Sequence, residues 1–172
     1  MDKIKGNIWL FGDNVDTDQI LPGYAMTEPV ENLHTFAMAG SQTPDFAKLV
    51  QAGDMIVAQE NFGSGSSREQ APVALKNAGV SLVIAQSFAR IFRRNAINIG
   101  LPVIEATLVG KVKQGEVLMV SLKEGTITQN GVQVATFHLT KSTYETIKAG
   151  GLINRVRSQL QEKEERERLI TT

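Results

Sequence analysis

The sequence contains no cysteine and only two histidines, His34 and His138, among its 172 residues. Without thiols the chain can form no disulfide, offers no thiolate nucleophile and cannot by itself hold a cysteine-ligated iron–sulfur cluster. Two histidines so far apart make a poor transition-metal site, so no metal is expected on this chain. Net charge is also missing, because 18 Lys and Arg are matched by 18 Asp and Glu. A chain without an overall field has nothing to draw in nucleic acid or an anionic membrane, and neither partner is expected. No apolar run is long enough to span a bilayer, and none follows Met1 as it would in a secretory leader. A cytoplasmic protein is the expectation.

What is present is a hydrophobic content of 42%, enough to build a real core. One domain over residues 1–172 is expected, closed by a charged helix over about 152–169. Residues 5–12 carry the apolar run Ile8-Trp9-Leu10-Phe11 and read as a buried strand. Thr43-Pro44-Asp45 reads as a helix start, with Thr43 as cap. Short apolar strands over 54–59 and 81–86 alternate with helices over 71–78 and 88–98, the second capped by Ser87. That alternation predicts a parallel sheet. Beyond Val103 the character changes to short β segments around Gln129-Asn130-Gly131, a strong hairpin signal that adds an antiparallel element. Arg90, Arg93 and Arg94 are spread over a wide arc of their helix, which reads as a solvated or subunit-facing surface.

The stretch with most chemistry is Asn61-Phe62-Gly63-Ser64-Gly65-Ser66-Ser67-Arg68-Glu69-Gln70, at a strand-to-helix junction. Gly63 and Gly65 let the backbone approach a ligand, the helix N-terminus attracts an anion, and Arg68 can fork onto a carboxylate. The same spacing reads equally well as a plain capping box from Ser66 to Glu69. The loop is neither a Walker A motif, lacking Gly-Lys-Ser/Thr, nor a dinucleotide fingerprint. Asp16-Thr17-Asp18 reads as a turn cluster, without the further oxygen ligands of a calcium loop.

Three blocks in order, GDNVDTDQILPG, GSGSSREQAP and SFARIFRRNAINIGLPVIE, resemble the small subunits of 3-isopropylmalate dehydratase, the swivel domain of the aconitase superfamily. The resemblance covers residues 12–105 and implies a three-layer β/β/α swivelling domain with a mainly parallel central sheet plus an antiparallel hairpin element. It implies a hydro-lyase that interconverts 2- and 3-isopropylmalate in leucine biosynthesis, active only with a large subunit holding a [4Fe-4S] cluster. By the same carry-over Ser66 is the catalytic base, and Ser67, Arg68 and Gly65 bind substrate carboxylate. Tyr24 and Met26 then face the substrate's alkyl group, while Asp16, Thr17, Asp18 and Asn95 shape the site. Two positions depart from the family. Gly23-Tyr24-Ala25-Met26-Thr27 stands where Arg-Tyr-Leu is usual, which leaves the substrate's distal group open, and Gln70 replaces a histidine. A homoaconitase small subunit, a methylmalate or dimethylmalate dehydratase small subunit, and a non-enzymatic anion-binding module are the alternatives. Homo-oligomers of the isolated chain are a further expectation.

Overall fold

Strand β1 (Lys3–Leu10) takes part in two kinds of β-structure, one after the other. In the computed structural model, which describes residues 2–171, its first half pairs antiparallel with β5 (Val117–Ser121), from Lys3 opposite Ser121 to Asn7 opposite Val117. Its second half pairs parallel with β2 (Met55–Val57), Ile8 opposite Met55 and Leu10 opposite Val57. Gly6 lies in the antiparallel half, two residues before the parallel pairing begins at Ile8, where a Cβ would run into the carbonyl oxygen of Gly53. Only a glycine lets β1 pass that backbone.

From β1 the parallel side continues through β2 to β3 (Leu82–Ala85) and β4 (Val103–Glu105). The antiparallel side continues through β5 to β6 (Thr126–Gln129) and β7 (Val132–Thr136). The result is a curled seven-stranded sheet that carries helices and an antiparallel element, the expected fold class. Every residue of β2 and β3 is buried, as near-continuous apolar runs in a covered parallel sheet should be. The β6–β7 turn is the anticipated hairpin. Asn130 (φ 51°) and Gly131 (φ 77°) both take the left-handed conformation that a tight two-residue turn needs.

Two helices cover the parallel side near its functional end, α3 (Gln70–Asn77) and α4 (Arg90–Asn98). α3 buries Ala71, Pro72, Ala74 and Leu75, and α4 buries Phe92, Ala96 and Ile97. The short helices α1 (Thr17–Ile20) and α2 (Phe46–Leu49) flank an irregular stretch with 3₁₀ turns at Gly23–Thr27 and Val30–Phe36. At the C-terminal end, α5 (Lys141–Lys148) is capped by Thr140, whose hydroxyl accepts the Thr143 N–H. Among the described residues of α6 (Leu152–Thr171) none is buried. It is anchored at its start by Arg155, which donates to Ser142, Thr146 and Glu145.

Several local expectations are corrected. β1 is only partly buried: Lys3, Lys5 and Asn7 point outward, and within the apolar run Trp9 and Leu10 stay half-exposed. The Trp9 indole instead donates to the buried Asp54 carboxylate at 2.9 Å, which also accepts the Gln51 N–H. Thr43 does not cap α2, whose flanking residue Asp45 makes no side-chain cap. Only Phe46 of that short helix is buried, and Leu49 is exposed. Ser87 does not cap α4 either, because its hydroxyl accepts the Asn61 N–H at 2.8 Å and thereby braces the loop across from it.

Candidate active site

The two loops that leave the C-terminal ends of β1 and β2 lie side by side. Gly63 donates its N–H to the Val15 carbonyl at 2.7 Å, and Thr17 donates to Ser64 at 2.8 Å, forming a short parallel bridge between Asp16 and Ser64. Asn14 and Asn61, both in left-handed conformation, join the loops through a side-chain hydrogen bond of 3.1 Å. Beneath them Phe62 is fully buried, edge-on to Phe92 (5.3 Å) and Phe88 (5.9 Å). Gly63 (φ 84°) presses on this cluster so closely that a Cβ would enter the Phe92 ring. The loop is therefore seated on a rigid aromatic base, made by Phe92 of α4 and by Phe88 just ahead of that helix.

This arrangement brings most of the sequence-derived site residues together. Ser66 and Thr17 have their hydroxyl oxygens 3.0 Å apart, and the Ser66 N–H donates to the Thr17 oxygen at 3.2 Å. Gly65 (φ 100°) lies against the same oxygen, 3.2 Å from where its Cβ would be. Asp16 caps α1 by accepting the Gln19 N–H at 2.8 Å. Arg68 is tied through Nη1 to the Leu21 carbonyl at 2.6 Å and to the Asp18 carboxylate at 3.4 Å. Asp18 in turn accepts the Gly23 N–H at 3.0 Å, so a single carboxylate links Arg68 to the turn over Gly23–Thr27. An open cavity of about 510 Å³ is lined by Met26, Ser66, Ser67, Arg68, Glu69 and Gln70.

The serines do not form the capping box that their spacing allowed. Glu69 flanks α3 without any side-chain cap, and the Ser66 hydroxyl is engaged by Thr17 instead. Among the described residues, the N–H groups of Ser67, Arg68 and Glu69 have no acceptor. Such groups at a helix entrance point a positive dipole end at whatever occupies the cavity. Among the described residues, the Arg68 Nε and Nη2 atoms likewise make no hydrogen bond. They form the side-on edge of the guanidinium that can grip two carboxylate oxygens.

Two candidates sit apart from this group. Tyr24 is 68% exposed with its ring edge-on to Phe36, at the outer side of the turn that carries Met26. Asn95 is half-buried one turn beyond Phe92, and no hydrogen bond links its side chain to the loop among the described residues. Sequence reasoning missed the Leu21 carbonyl as an Arg68 anchor, since a backbone acceptor leaves no trace in residue type. It also missed Glu69 and Gln70 as cavity walls, having read Glu69 as a capping partner and Gln70 as a departure from the family histidine. Among the described residues no three His, Asp or Glu side chains gather as metal ligands.

Residues 13–107 match the family described as the aconitase C-terminal domain. The chain is 47% identical over 165 residues to the 3-isopropylmalate dehydratase small subunit of Aquifex aeolicus, covering 94% of this chain and 98% of that protein. It is 56% identical over 125 residues to the methanogen homoaconitase small subunit of Methanothermobacter thermautotrophicus, covering 72% of each. Its fold superimposes on the crystal structure of a 3-isopropylmalate dehydratase from Methanocaldococcus jannaschii with a TM-score of 0.86 and 42% identity, over 95% of this chain and 99% of that one.

Proposed function

The chain belongs to the aconitase C-terminal domain family and, within it, to the small subunits of 3-isopropylmalate dehydratases, and from that premise we propose that it supplies the proton-transfer side of a two-subunit hydro-lyase. The observation that carries the reading is the Ser66 hydroxyl at the wall of an open cavity, flanked by the free edge of Arg68 and by unpaired N–H groups. The partner is a large subunit that holds a [4Fe-4S] cluster, which when bound supplies a Lewis acid for the substrate's hydroxyl and one carboxylate. The chain's own task is to bind, orient and deprotonate, within the cytoplasm.

Ser66, as an alkoxide, takes the proton from the carbon next to a carboxylate. The electron pair left behind forms the carbon–carbon double bond as hydroxide departs from the neighbouring carbon. Hydroxide then adds to the carbon that gave up its proton, and Ser66 returns that proton to the carbon that lost its hydroxyl, which gives the isomer and restores the alkoxide. A serine hydroxyl is far too weak an acid to ionise unaided near neutral pH. The N–H groups of Ser67, Arg68 and Glu69, the Arg68 charge and the entrance of α3 lower that cost by meeting the negative charge as it forms. Arg68 holds a substrate carboxylate through Nε and Nη2, with Ser67 and the Gly65 backbone beside it, while its Nη1 stays fixed to Leu21 and Asp18.

The distal end of the substrate is read by the turn over Gly23–Thr27. That turn carries no cationic side chain, whereas Met26 lines the cavity and Tyr24 stands beside it. An alkyl group suits such a surface and a third carboxylate does not, so 2- and 3-isopropylmalate are the substrates rather than a homoaconitase-type tricarboxylate. The test is catalytic efficiency of the reconstituted two-subunit complex on 3-isopropylmalate, homoaconitate, methylmalate and dimethylmalate. 3-Isopropylmalate should be turned over most efficiently. A preference for homoaconitate would overturn the substrate, and no turnover of any of the four by a cluster-loaded complex would leave an anion-binding module.

A further inference from the structure

We infer that Thr17 is the positioning residue of Ser66: its hydroxyl donates to the Ser66 oxygen and holds that oxygen as an acceptor with its proton aimed into the cavity. The inference rests on the assignment of Ser66 as base and adds the group that prepares it. It follows from counting partners. Thr17 is 3% exposed, so its hydroxyl cannot turn to bulk water. Its oxygen already accepts the Ser66 N–H at 3.2 Å. Among the described residues the one other partner of that oxygen is the Ser66 hydroxyl oxygen, 3.0 Å away. A hydroxyl carries one donor and two acceptor positions, and a buried donor left unsatisfied costs free energy. The arrangement that satisfies both hydroxyls has Thr17 donating to Ser66. The Ser66 proton is then free to point at the cavity, where Ser66 is exposed.

Two consequences follow for the reaction. When Ser66 loses its proton, the Thr17 O–H is already in place as a donor to the alkoxide, as an oxyanion-hole donor would be. The N–H contact from Ser66 to Thr17 also fixes the backbone of the same residue, so the serine oxygen is held from both ends. Gly65 leaves room for this, since its Cβ position lies 3.2 Å from the Thr17 oxygen and any larger residue would press on it. Thr17 is not among the residues that line the cavity, and it acts on the substrate only through Ser66.

The test compares Thr17→Val, which keeps the shape and removes the hydroxyl, with Thr17→Ser, which keeps the hydroxyl. In the complex with the large subunit, Thr17→Val should lower kcat about 100-fold with little change in KM, the scale on which loss of one oxyanion donor is felt. Its acid-side pH limb should move to higher pH, because a donor to the alkoxide lowers the serine pKa and its removal raises it. Thr17→Ser should restore most of kcat and the original limb. Wild-type kcat in Thr17→Val, equal loss in both variants, or a loss confined to KM would each overturn the inference. A readout independent of activity uses the isolated full chain. The Ser66 amide proton should exchange faster and shift in Thr17→Val and return in Thr17→Ser, and an unchanged amide in Thr17→Val would also overturn it. Thermal melts of both variants separate a local effect from unfolding. If Ser66→Ala kept turnover, the assignment of the base itself would fail, a result distinct from any of these.

Discussion

The two halves of the sheet that share β1 are built to different standards. On the parallel side β2 and β3 are buried along their whole length, helices cover them, and the loop at their end is locked by Phe62, Phe88 and Phe92. On the antiparallel side β5 alternates buried and exposed residues, β7 is exposed or half-exposed throughout, and Val132 stands 65% exposed in the hairpin. Precision follows burial. A base and a carboxylate fork must be held to within a fraction of an ångström, and only the covered half offers packing on all sides to do that. The open half can tolerate adjustment if, as proposed, the chemistry belongs to the covered half.

Glycine substitutions at matched left-handed positions test this contrast most severely. Gly63→Ala adds a Cβ into the Phe92 ring at φ 84°, and should cost more than about 4 kcal/mol or abolish folding of the loop, with turnover lost. Gly131→Ala at φ 77° meets nothing within 4 Å. It should cost only the conformational penalty of about 1–2 kcal/mol and leave kcat unchanged. Denaturant melts and kcat measured on both variants check the pair. Equal stability losses would erase the distinction between the halves.

Within the covered half, geometry should matter more than charge. Arg68→Lys should be nearly as damaging to catalytic efficiency as Arg68→Ala, because an ammonium keeps the sign but cannot both hold Leu21 and present a two-pronged edge. Near wild-type efficiency for Arg68→Lys would show that the carboxylate fork is misassigned.

The smallest effect is expected at the far end of β1. There Tyr144 donates to Asp2, which holds the Asp2 carboxyl below its ordinary range and pushes the Tyr144 phenol up. The lowered acid contributes stability above the ordinary aspartate value that fades as pH falls through the folded one. The raised phenol contributes below the ordinary tyrosine value and fades at higher pH. Tyr144→Phe should therefore lower the melting temperature slightly at pH 7, lose that difference in strong acid, and leave kcat untouched. A difference that persists at pH 2 would assign the loss to packing rather than to the hydrogen bond.

Much of the covered half was legible from the sequence because its signals are local. Continuous apolar runs pointed to strands over 54–59 and 81–86, which form as Met55–Val57 and Leu82–Ala85, and Asn130-Gly131 pointed to the hairpin. The candidate site residues from Asp16 to Arg68 come from the resemblance of whole blocks, and the structure gathers most of them in one place. What could not be read were pairings across the chain. Thr17 and Ser66 are 49 residues apart, and nothing in either segment announces that one hydroxyl would claim the other. Of the three serine and threonine caps expected at Thr43, Ser66 and Ser87, none forms, and the last two failed for a related reason. Ser66 and Ser87 are both spent on contacts between loops, and such tertiary bonds outcompete local capping when the loop must be fixed. β1 read as a buried strand because an apolar run does not reveal that the strand changes partners between Asn7 and Ile8.

The central claim is that Ser66 acts in the transition state rather than in binding. Its most direct test is the steady-state kinetics of Ser66→Ala in the complex with a cluster-loaded large subunit. The account predicts kcat reduced to background while KM, or the dissociation constant of a substrate analogue, stays close to wild type. A variant that keeps kcat and only raises KM would make Ser66 a binding residue and contradict the account.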